Sequence, residues 1–256
     1  MTDCKESTTP LTRGFKPTAE NHKTDELIPY RELIGSLMYV ALATRPDIAH
    51  AVSVLSQFNR QYNRSIWTEA KHVFRYLKKT INLALCFSPT QENLYGFVNA
   101  DWGNCTIDRR SYTGTAFVLA GAAISWKSRK QRTVALSSTE AEYMGLTDAA
   151  KKAVYLIGFL KELGLNALTN VVIFNDNQGT GELARNLVYH GRSKHIDVRY
   201  HFIREVLASQ SVKLEYKSTE QMPADVLTKA LASGKHEFCV RSLGLTSIYE
   251  EEERQN

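Results

Sequence analysis

Four carboxylates stand where a strand ends or a helix begins. Asp101 follows the apolar run LYGFVNA and Asp176 follows VVIFN, whereas Glu142 lies one turn into a helical pattern and Asp225 follows Pro223. Like charges at one point repel each other unless cations bind between them, and oxygen-only clusters suit Mg²⁺ or Mn²⁺. Two such ions can activate a water and neutralise the leaving oxygen of a phosphodiester. The four acids are therefore candidate catalytic and metal-binding residues.

Each acid also has an ordinary structural role open to it. Asp101 and Asp176 could be turn formers, and Glu142 and Asp225 could be partners of a helix dipole. Spacing alone leaves both interpretations open.

The elements that must position these acids follow from apolar spacing. Three strand-like segments, LYGFVNAD, SYTGTAFVLAG and AAISWKSRKQRTVAL, precede a long helical pattern that Ser138 or Thr139 can cap and Gly164 ends. Then come a strand (VVIFNDN), helical patterns (GTGELARN and HIDVRYHFIREVLAS), a strand (SVKLEYKS) and a short closing helix (MPADVLTKAL). This order predicts a mixed α/β domain.

The rest of the chain divides by composition. Residues 1–25 are polar and aperiodic, which predicts a loose arm. Residues 26–90 carry three helical patterns, residues 91–232 hold the α/β domain, and residues 233–256 end in a helix and an acidic tail.

Charge and cysteine usage narrow the class of protein. The net charge is +5, and residues 56–80 alone carry six Arg and Lys against one Glu, which fits a nucleic-acid partner. The four cysteines form no C-x-x-C pair, and the longest apolar run, FVLAGAAI, has eight residues. We expect an intracellular chain, cytoplasmic or nuclear and not secreted, with no membrane partner; the sequence specifies no oligomeric state.

Three groups of residues are candidates for contact with nucleic acid. Basic residues on one face of the pattern WTEAKHVFRYLKKT, and others beside a tryptophan in the expected loop WKSRKQR, could grip phosphates, although each could be an ordinary solvated surface. Short polar residues beside the acids could read 2′-hydroxyls, or simply cap helices and turns. The candidates are Lys71, Arg75, Lys78 and Lys79; Trp126, Lys127, Arg129, Lys130 and Arg132; and Asn104, Ser138, Thr139 and Asn177.

Long ordered stretches carry a resemblance to a known family. VNADWGNCTIDRRSYTGTAFVLAGAAISWKSRKQRTVALSSTEAEYMGL, FNDNQGT, RSKHIDVRYHFIRE and MPADVLTKAL resemble the ribonuclease H domain of copia-type retrotransposon Pol polyproteins, in that order. YRELIGSLMYVALATRPDIAHAVSVLSQF and WTEAKHVFRYLKKT resemble the thumb-like or connecting segment between polymerase and ribonuclease H.

The resemblance implies a ribonuclease H-like mixed five-stranded sheet with flanking helices, preceded by a small helical subdomain. It also implies cleavage of the RNA strand of an RNA–DNA hybrid with two Mg²⁺ ions, or Mn²⁺ in their place, and other parts of a Pol polyprotein as partners. Asp101 would lie between both ions, Glu142 and Asp176 on the nucleophile side, and Asp225 by the leaving group.

The chain departs from this family and its relatives at several points. There is no Y-x-D-D stretch, so we expect no polymerase activity. The loop KSTEQMPA lacks the histidine of bacterial and retroviral relatives, and His195 and His201 are better explained as surface or partly buried residues than as replacements. Gly145, Gly179 and Gly181 stand in helical patterns, where each costs up to about 1 kcal/mol.

Two alternative functions stay open. A transposase or integrase of the Asp-Asp-Glu type would need a glutamate on a helix after Asp176, and Glu205 is available. The placement of Glu142 before Asp176 favours ribonuclease H instead. The other alternative is a catalytically silent fragment that only binds nucleic acid, which the missing polymerase and the helix glycines favour.

Overall fold

The computed structural model of the chain describes residues 4–17, 28–90, 92–185, 194–209 and 211–249. The helices are α1 (Tyr30–Ala43), α2 (Ala49–Ser56), α3 (Arg64–Lys79), α4 (Ser138–Glu162), α5 (Gln178–Arg185), α6 (Lys194–Ala208) and α7 (Ser233–Ser242). The strands are β1 (Leu83–Leu85), β2 (Tyr95–Ala100), β3 (Tyr112–Leu119), β4 (Ala122–Lys130), β5 (Val171–Asn175), β6 (Val212–Tyr216) and β7 (Leu245–Ser247).

A five-stranded sheet of order β4-β3-β2-β5-β6 is the centre of the structure. The hairpin-connected strands β2, β3 and β4 are antiparallel, whereas β5 runs parallel to both β2 and β6. The helix crossovers before and after β5 allow these parallel pairings, because parallel strands need a long connection. The predicted fold class, a ribonuclease H-like mixed five-stranded sheet with flanking helices, is confirmed.

Helix α4 covers one face of the sheet and holds the largest apolar cluster, with Leu146, Ala149 and Ala153 packed toward Val98 of β2. Its N-cap is Ser137, whose side chain accepts a hydrogen bond from the Glu140 N–H, rather than the expected Ser138 or Thr139. The chain leaves the helix through Gly164 at φ +77°, as expected.

Gly145 has a packing function in α4. A Cβ there would lie 3.3 Å from methyl groups of both Thr113 and Val98, so the glycine lets the helix approach the sheet closely. The intrinsic cost of Gly145 in a helix is therefore offset by this close packing.

Helices α1, α2 and α3 enclose a second apolar cluster beside the sheet. The indole N–H of Trp126 in β4 donates to the Ala41 carbonyl of α1 at 2.7 Å, which joins this cluster to the strand. Arg45 and Asp47 form a buried ion pair at 2.7 Å, and the Tyr76 hydroxyl also donates to Asp47.

The described part of the expected N-terminal arm, residues 4–17, has neither helix nor strand but packs against α3. Leu11 is buried, and the Ser7 backbone N–H donates to the Arg75 carbonyl. The Thr12 hydroxyl donates to Glu69 at 3.0 Å. The remainder of the arm lies outside the described residues.

The C-terminal region differs from the expected closing helix. MPADVLTKAL forms a 3-10 turn, Pro223–Leu227, after which α7 begins at Ser233. The turn packs closely on Gly114 of β3, where a Cβ would lie 2.6 Å from the Leu227 Cβ, and this tertiary contact overrides the local helical pattern. β7 then pairs with β1. The acidic tail from residue 250 lies outside the described residues.

Candidate active site

Asp101 and Asp176 lie at the same edge of the sheet because the strands that they follow are parallel neighbours. The register pairs Phe97 with Phe174, so both strands reach this edge together. Asp101 is held by β3: its N–H donates to the Tyr112 carbonyl at 3.0 Å, and the Tyr112 N–H donates back to its Oδ1. Apolar spacing does not indicate which strands are adjacent, and the observed pairing of β2 with β5 establishes this.

Glu142 reaches the same edge from α4. It is buried, and its Oε1 accepts a hydrogen bond from the Ala100 N–H at 3.0 Å. Glu140 differs, because its Oε2 accepts the Leu136 N–H at 2.7 Å and completes the N-terminal cap with Ser137. Of the two glutamates in STEAE, only Glu142 joins the candidate site.

Asp225 approaches from the opposite face of the sheet. Alternation along β2 places Asn99 on the face away from Val98 and α4, and the Asn99 side-chain amide donates to Asp225 Oδ1. Lys229 forms an ion pair with the same oxygen at 2.7 Å, and Lys235 lies 3.6 Å from Oδ2. Asp225 is thus held by the chain's own donors on both oxygens.

Burial shifts three of the acids, Asp101, Glu142 and Asp176, toward their protonated forms. Burial raises the pKa of Asp101 to about 7, against hydrogen bonds from Tyr112 and Asn104 and the charge of Lys229. Burial also raises the pKa of Glu142 well above its usual value, and the charges of Asp176 and Asp225 add to the rise.

Asp176 responds in the same way. Burial raises its pKa and the charge of Asp225 adds to this rise, while a hydrogen bond from the Thr219 hydroxyl at 2.8 Å and the charge of Lys229 oppose it. Glu142 therefore senses the charges of Asp176 and Asp225, and Asp176 senses that of Asp225, as members of an electrostatic cluster would.

The donor chemistry of the cluster fits a hard divalent cation. Asp101 Oδ2 and Glu142 Oε2 are buried, and neither has a hydrogen-bond partner among the described residues. Carboxylate oxygens are the ligands that Mg²⁺ takes in proteins. At the same time, no three His, Cys, Asp or Glu side chains of the described residues are arranged closely enough to hold one metal ion.

Residues 126–130 of the expected basic loop are instead part of β4 and face both sides of the sheet, whereas Arg132 follows the strand. Lys130 ion-pairs with Asp108 at 2.8 Å on the side of α2, the side on which Trp126 also contacts α1. Arg129 points to α4, where it pairs with Asp148 at 2.7 Å. The expected loop is therefore wrong for residues 126–130, which alternate in direction along a strand, while their contact with nucleic acid stays a prediction.

One side of β4 nevertheless concentrates positive charge. Burial lowers the pKa of Lys127, and the neighbouring charges of Arg129, Arg132 and Lys152 lower it further against Asp148. We call Lys127, Arg129, Arg132 and Lys152 the β4–α4 basic face.

The basic residues of α3 make contacts within the chain. The Arg75 guanidinium lies 3.0 Å from His72 Nδ1, the Lys78 ammonium donates to the Cys4 carbonyl at 3.2 Å, and Lys71 lies over the Trp67 ring. Lys79 borders a cavity next to α7. The N-terminal segment thus contacts part of the α3 surface that was predicted to bind phosphates.

The structure also shows the positions of the short polar residues that were candidates for contact with 2′-hydroxyls. Asn177 caps α5 by accepting the Thr180 N–H at 2.9 Å, whereas Asn104 lies close enough to Asp101 for its side chain to lower the pKa of that carboxyl. Ser138 is exposed in the first turn of α4, and the Thr139 carbonyl accepts the Thr180 hydroxyl. Of the two histidines weighed as replacements, His201 is exposed, and the side chain of His195 lies outside the described residues.

Comparison with known proteins identifies the family. The retrovirus-related Pol polyprotein from transposon TNT 1-94 of Nicotiana tabacum is 41% identical over 254 residues, which cover 96% of this chain and 19% of that protein. The corresponding polyprotein from transposon RE2 of Arabidopsis thaliana is 34% identical over 250 residues, covering 97% of this chain and 17% of that protein. The chain belongs to the copia-type retrovirus-related Pol polyproteins.

This Pol segment spans about a fifth of the length of these relatives. No family model matches it. Among solved structures, LC11-RNase H1, isolated from compost by a metagenomic approach, is similar with a TM-score of 0.42 at 13% identity, covering 53% of this chain and 92% of that one. In the part of the chain that the structure describes, no helix has both the length and the apolar character needed to cross a membrane.

Sequence reasoning missed several residues of the Pol segment's candidate site. Lys229 was detectable, because it lies four residues after Asp225 in a stretch expected to be helical, where such pairs meet. Lys235, Asn99 and Thr219 gave no local signal, since each reaches its carboxylate only through the tertiary fold.

Proposed function

We propose that this Pol segment is a divalent-metal-dependent endonuclease that cleaves the RNA strand of RNA–DNA hybrids. The observation that carries the proposal is the pair of buried carboxylate oxygens, Asp101 Oδ2 and Glu142 Oε2, which lack hydrogen-bond partners among the described residues. Burying such oxygens without a donor is costly, and a bound cation would offset that cost. The match of the site sequence to ribonuclease H of copia-type polyproteins supports the same activity.

Asp101, Glu142 and Asp176 would hold one ion, and Asp101 with Asp225 would hold a second. When bound, the two ions supply an activated water and neutralise the leaving oxygen of the cleaved phosphodiester.

The chain's own contribution is to orient these carboxylates. The Ala100 and Tyr112 N–H groups each fix one oxygen, of Glu142 and Asp101 respectively, so the other oxygen of each side chain stays directed into the site. The Thr219 hydroxyl fixes Asp176 in the same way. Backbone donors move little, and they therefore hold ligand positions well.

The β4–α4 basic face supports a nucleic-acid substrate. Lys127, Arg129, Arg132 and Lys152 raise the positive potential along the strand that leads to the N-terminus of α4, where Glu142 lies. Charge on such a face attracts the phosphate backbone of a hybrid independently of its sequence. Asn104, beside Asp101, borders the site where a 2′-hydroxyl would be read.

We further propose that residues 91–232 form the nuclease domain and residues 26–90 a thumb- or connection-like segment. Other parts of a Pol polyprotein would be its partners, since the relatives are about five times longer. Polymerase activity is not part of the proposal.

The decisive experiment offers the purified chain labelled RNA–DNA hybrid, single-stranded RNA and duplex DNA with Mg²⁺. Cleavage of the hybrid alone is expected, and Asp101→Asn should reduce it by more than about 100-fold, the upper range for a residue that merely supports a metal ligand. Glu162→Gln, a change at an exposed acid of α4, is the matched control and should leave cleavage unchanged.

A second candidate function is that of a catalytically silent hybrid-binding fragment. The observation that favours it is the lack, among the described residues, of three side chains arranged to hold a metal ion. Retained, salt-sensitive hybrid binding without cleavage would establish this function and exclude the first. A transposase-like site receives no support, because Glu205 is exposed on α6 whereas its neighbours Ile203 and Val206 enter the core.

A further inference from the structure

Lys229 places a positive charge inside the carboxylate cluster. Its ammonium lies 2.7 Å from Asp225 Oδ1, and the Asp225 side chain is only 2% exposed whereas that of Lys229 is 35% exposed. A buried carboxylate is thus neutralised by a cation that has access to solvent.

The influence of Lys229 extends beyond this ion pair. Its charge lowers the pKa of Asp101, Glu142 and Asp176 against the effect of burial. Lys229 is therefore close enough to stabilise the ionised form of the acids on both faces of the sheet.

The lysine also has room to move. Lys229 borders a cavity of about 360 Å³ that is lined by Asn104, Tyr112 and the N-terminal residues Arg13 and Lys16, among others. A four-carbon side chain with one solvent-accessible side can leave Asp225 without rearranging the backbone. Lys235 is more constrained, because its ammonium donates to the Thr219 carbonyl at 2.9 Å and to the Glu220 carbonyl.

We propose that Lys229 is an internal counter-cation that pairs with the Asp225 carboxylate in the metal-free protein and is displaced when a divalent ion binds to that carboxylate. It would act as a positioning residue that sets the metal affinity of the site. This explains why the acids lie together while no described trio is arranged to hold an ion: one of the cations that organise the cluster belongs to the chain. The inference rests on the proposed function, which supplies the metal site.

The test is Mn²⁺ binding to the full chain without nucleic acid. Binding is measured by calorimetry and by the electron paramagnetic resonance signal of free Mn²⁺. Lys229→Met removes the charge and keeps most of the stem, Lys229→Arg keeps the charge, and Lys235→Met removes the more distant lysine. We expect Lys229→Met to bind Mn²⁺ about tenfold more tightly, in the usual range for coupling between competing sites. Lys229→Arg should bind nearly as the unaltered chain does, and Lys235→Met should change less than Lys229→Met.

Thermal unfolding supplies a second readout. Without metal, Lys229→Met should have a lower Tm than the unaltered chain, because Asp225 loses its counter-ion, and saturating Mn²⁺ should restore it. If Lys229→Met folds only when Mn²⁺ is present, the proposal is supported as well. Equal or weaker Mn²⁺ binding by a folded Lys229→Met would overturn it.

The same titration separates this inference from the proposed function. If the unaltered chain binds Mn²⁺ and Asp101→Asn does not, the metal site stands, and only the comparison with Lys229→Met decides the role of the lysine. If neither the unaltered chain nor Lys229→Met binds Mn²⁺, both proposals fall.

Discussion

Glu142 accepts a hydrogen bond at 3.0 Å from the N–H of Ala100, the residue that immediately precedes Asp101. This contact ties the first turns of α4 to the end of β2, so the two carboxylates are positioned by one link between neighbouring elements. Because the link uses only Oε1, the second oxygen of Glu142 has no hydrogen-bond partner among the described residues. The consequences concern the activity of the site, its pH dependence and the packing that supports it.

The two glutamates of α4 should differ sharply in function. Glu142→Gln replaces a buried carboxyl oxygen of the site by an amide nitrogen, which cannot bind a cation, and should abolish hybrid cleavage, whereas Glu140→Gln alters only the helix cap. For Glu140→Gln we expect most of the activity and a loss of about 0.3–1 kcal/mol in the free energy of unfolding, because Gln can still accept the Leu136 N–H and only the charge beside the helix N-terminus is lost. Hybrid cleavage and urea unfolding of both variants test this. Loss of cleavage in Glu140→Gln with retention in Glu142→Gln would show that the wrong glutamate was assigned to the site.

Asp101 should make stability depend on pH when divalent ions are removed with EDTA. Because its folded pKa, about 7, lies above the ordinary aspartate pKa of 3.8, the folded state binds more protons than the unfolded state between these values. Protonated Asp101 therefore contributes stability that is fully present below the unfolded pKa of 3.8. This stability is lost as the pH rises through the folded pKa of about 7. The advantage of Asp101→Asn over the unaltered chain should therefore grow by about 2 kcal/mol from pH 5.5 to 7.5.

The stability of Asp101→Asn must be compared with that of the unaltered chain at each pH, because buried histidines change stability with pH in the opposite direction. Burial lowers the pKa of His50 to about 4 and also lowers that of His236, so each destabilises the fold as pH falls below its unfolded value. These contributions are common to both proteins and cancel in the difference. Urea unfolding at five pH values measures it, and a difference that stays constant with pH would show that Asp101 ionises normally.

The sequence predicted those parts of the site that depend on local pattern. The strand before Asp101 and the helix that carries Glu142 have clear periodicity, and the order of elements predicted a mixed α/β domain, while the ribonuclease H-like five-stranded sheet was implied by the family resemblance. The local pattern did not reveal that β2 and β5 are neighbours, because strand pairing is decided by contacts between distant residues. The helix predicted for MPADVLTKAL was wrong for the same reason. The segment forms a 3-10 turn that packs on Gly114, more than a hundred residues earlier in the chain. Lys229 alone among the missed residues had a local signal.

Gly114 should be essential to the position of Asp225. An added Cβ would lie 2.6 Å from Leu227 Cβ and 2.9 Å from the Ala224 carbonyl oxygen, on either side of Asp225 in the 3-10 turn. Gly114→Ala should therefore cost about 1–3 kcal/mol of unfolding free energy and weaken Mn²⁺ binding as the turn is displaced. Gly158→Ala is the matched control, since nothing lies within 4 Å of its added Cβ.

For the control variant Gly158→Ala, the expected change in the free energy of unfolding has the opposite sign. Gly158 is exposed in the interior of α4, where alanine is favoured over glycine by about 0.8–1 kcal/mol. Gly158→Ala should raise the free energy of unfolding and leave Mn²⁺ binding unchanged. Equal stability of Gly114→Ala and the unaltered chain would mean that the turn adjusts without cost.

The buried ion pair between Arg45 and Asp47 should matter far more than an exposed pair of similar chemistry. Asp47 accepts hydrogen bonds from the Arg45 guanidinium and the Tyr76 hydroxyl, so Asp47→Ala leaves a buried guanidinium without its counter-ion. We expect a loss of about 3–5 kcal/mol in urea unfolding. Glu237→Ala breaks the pair with Arg241, whose side chains are 64% and 54% exposed, and should cost less than about 1 kcal/mol. Similar losses for the two variants would contradict the assignment of Asp47 as the anchor between the segment after α1 and helix α3.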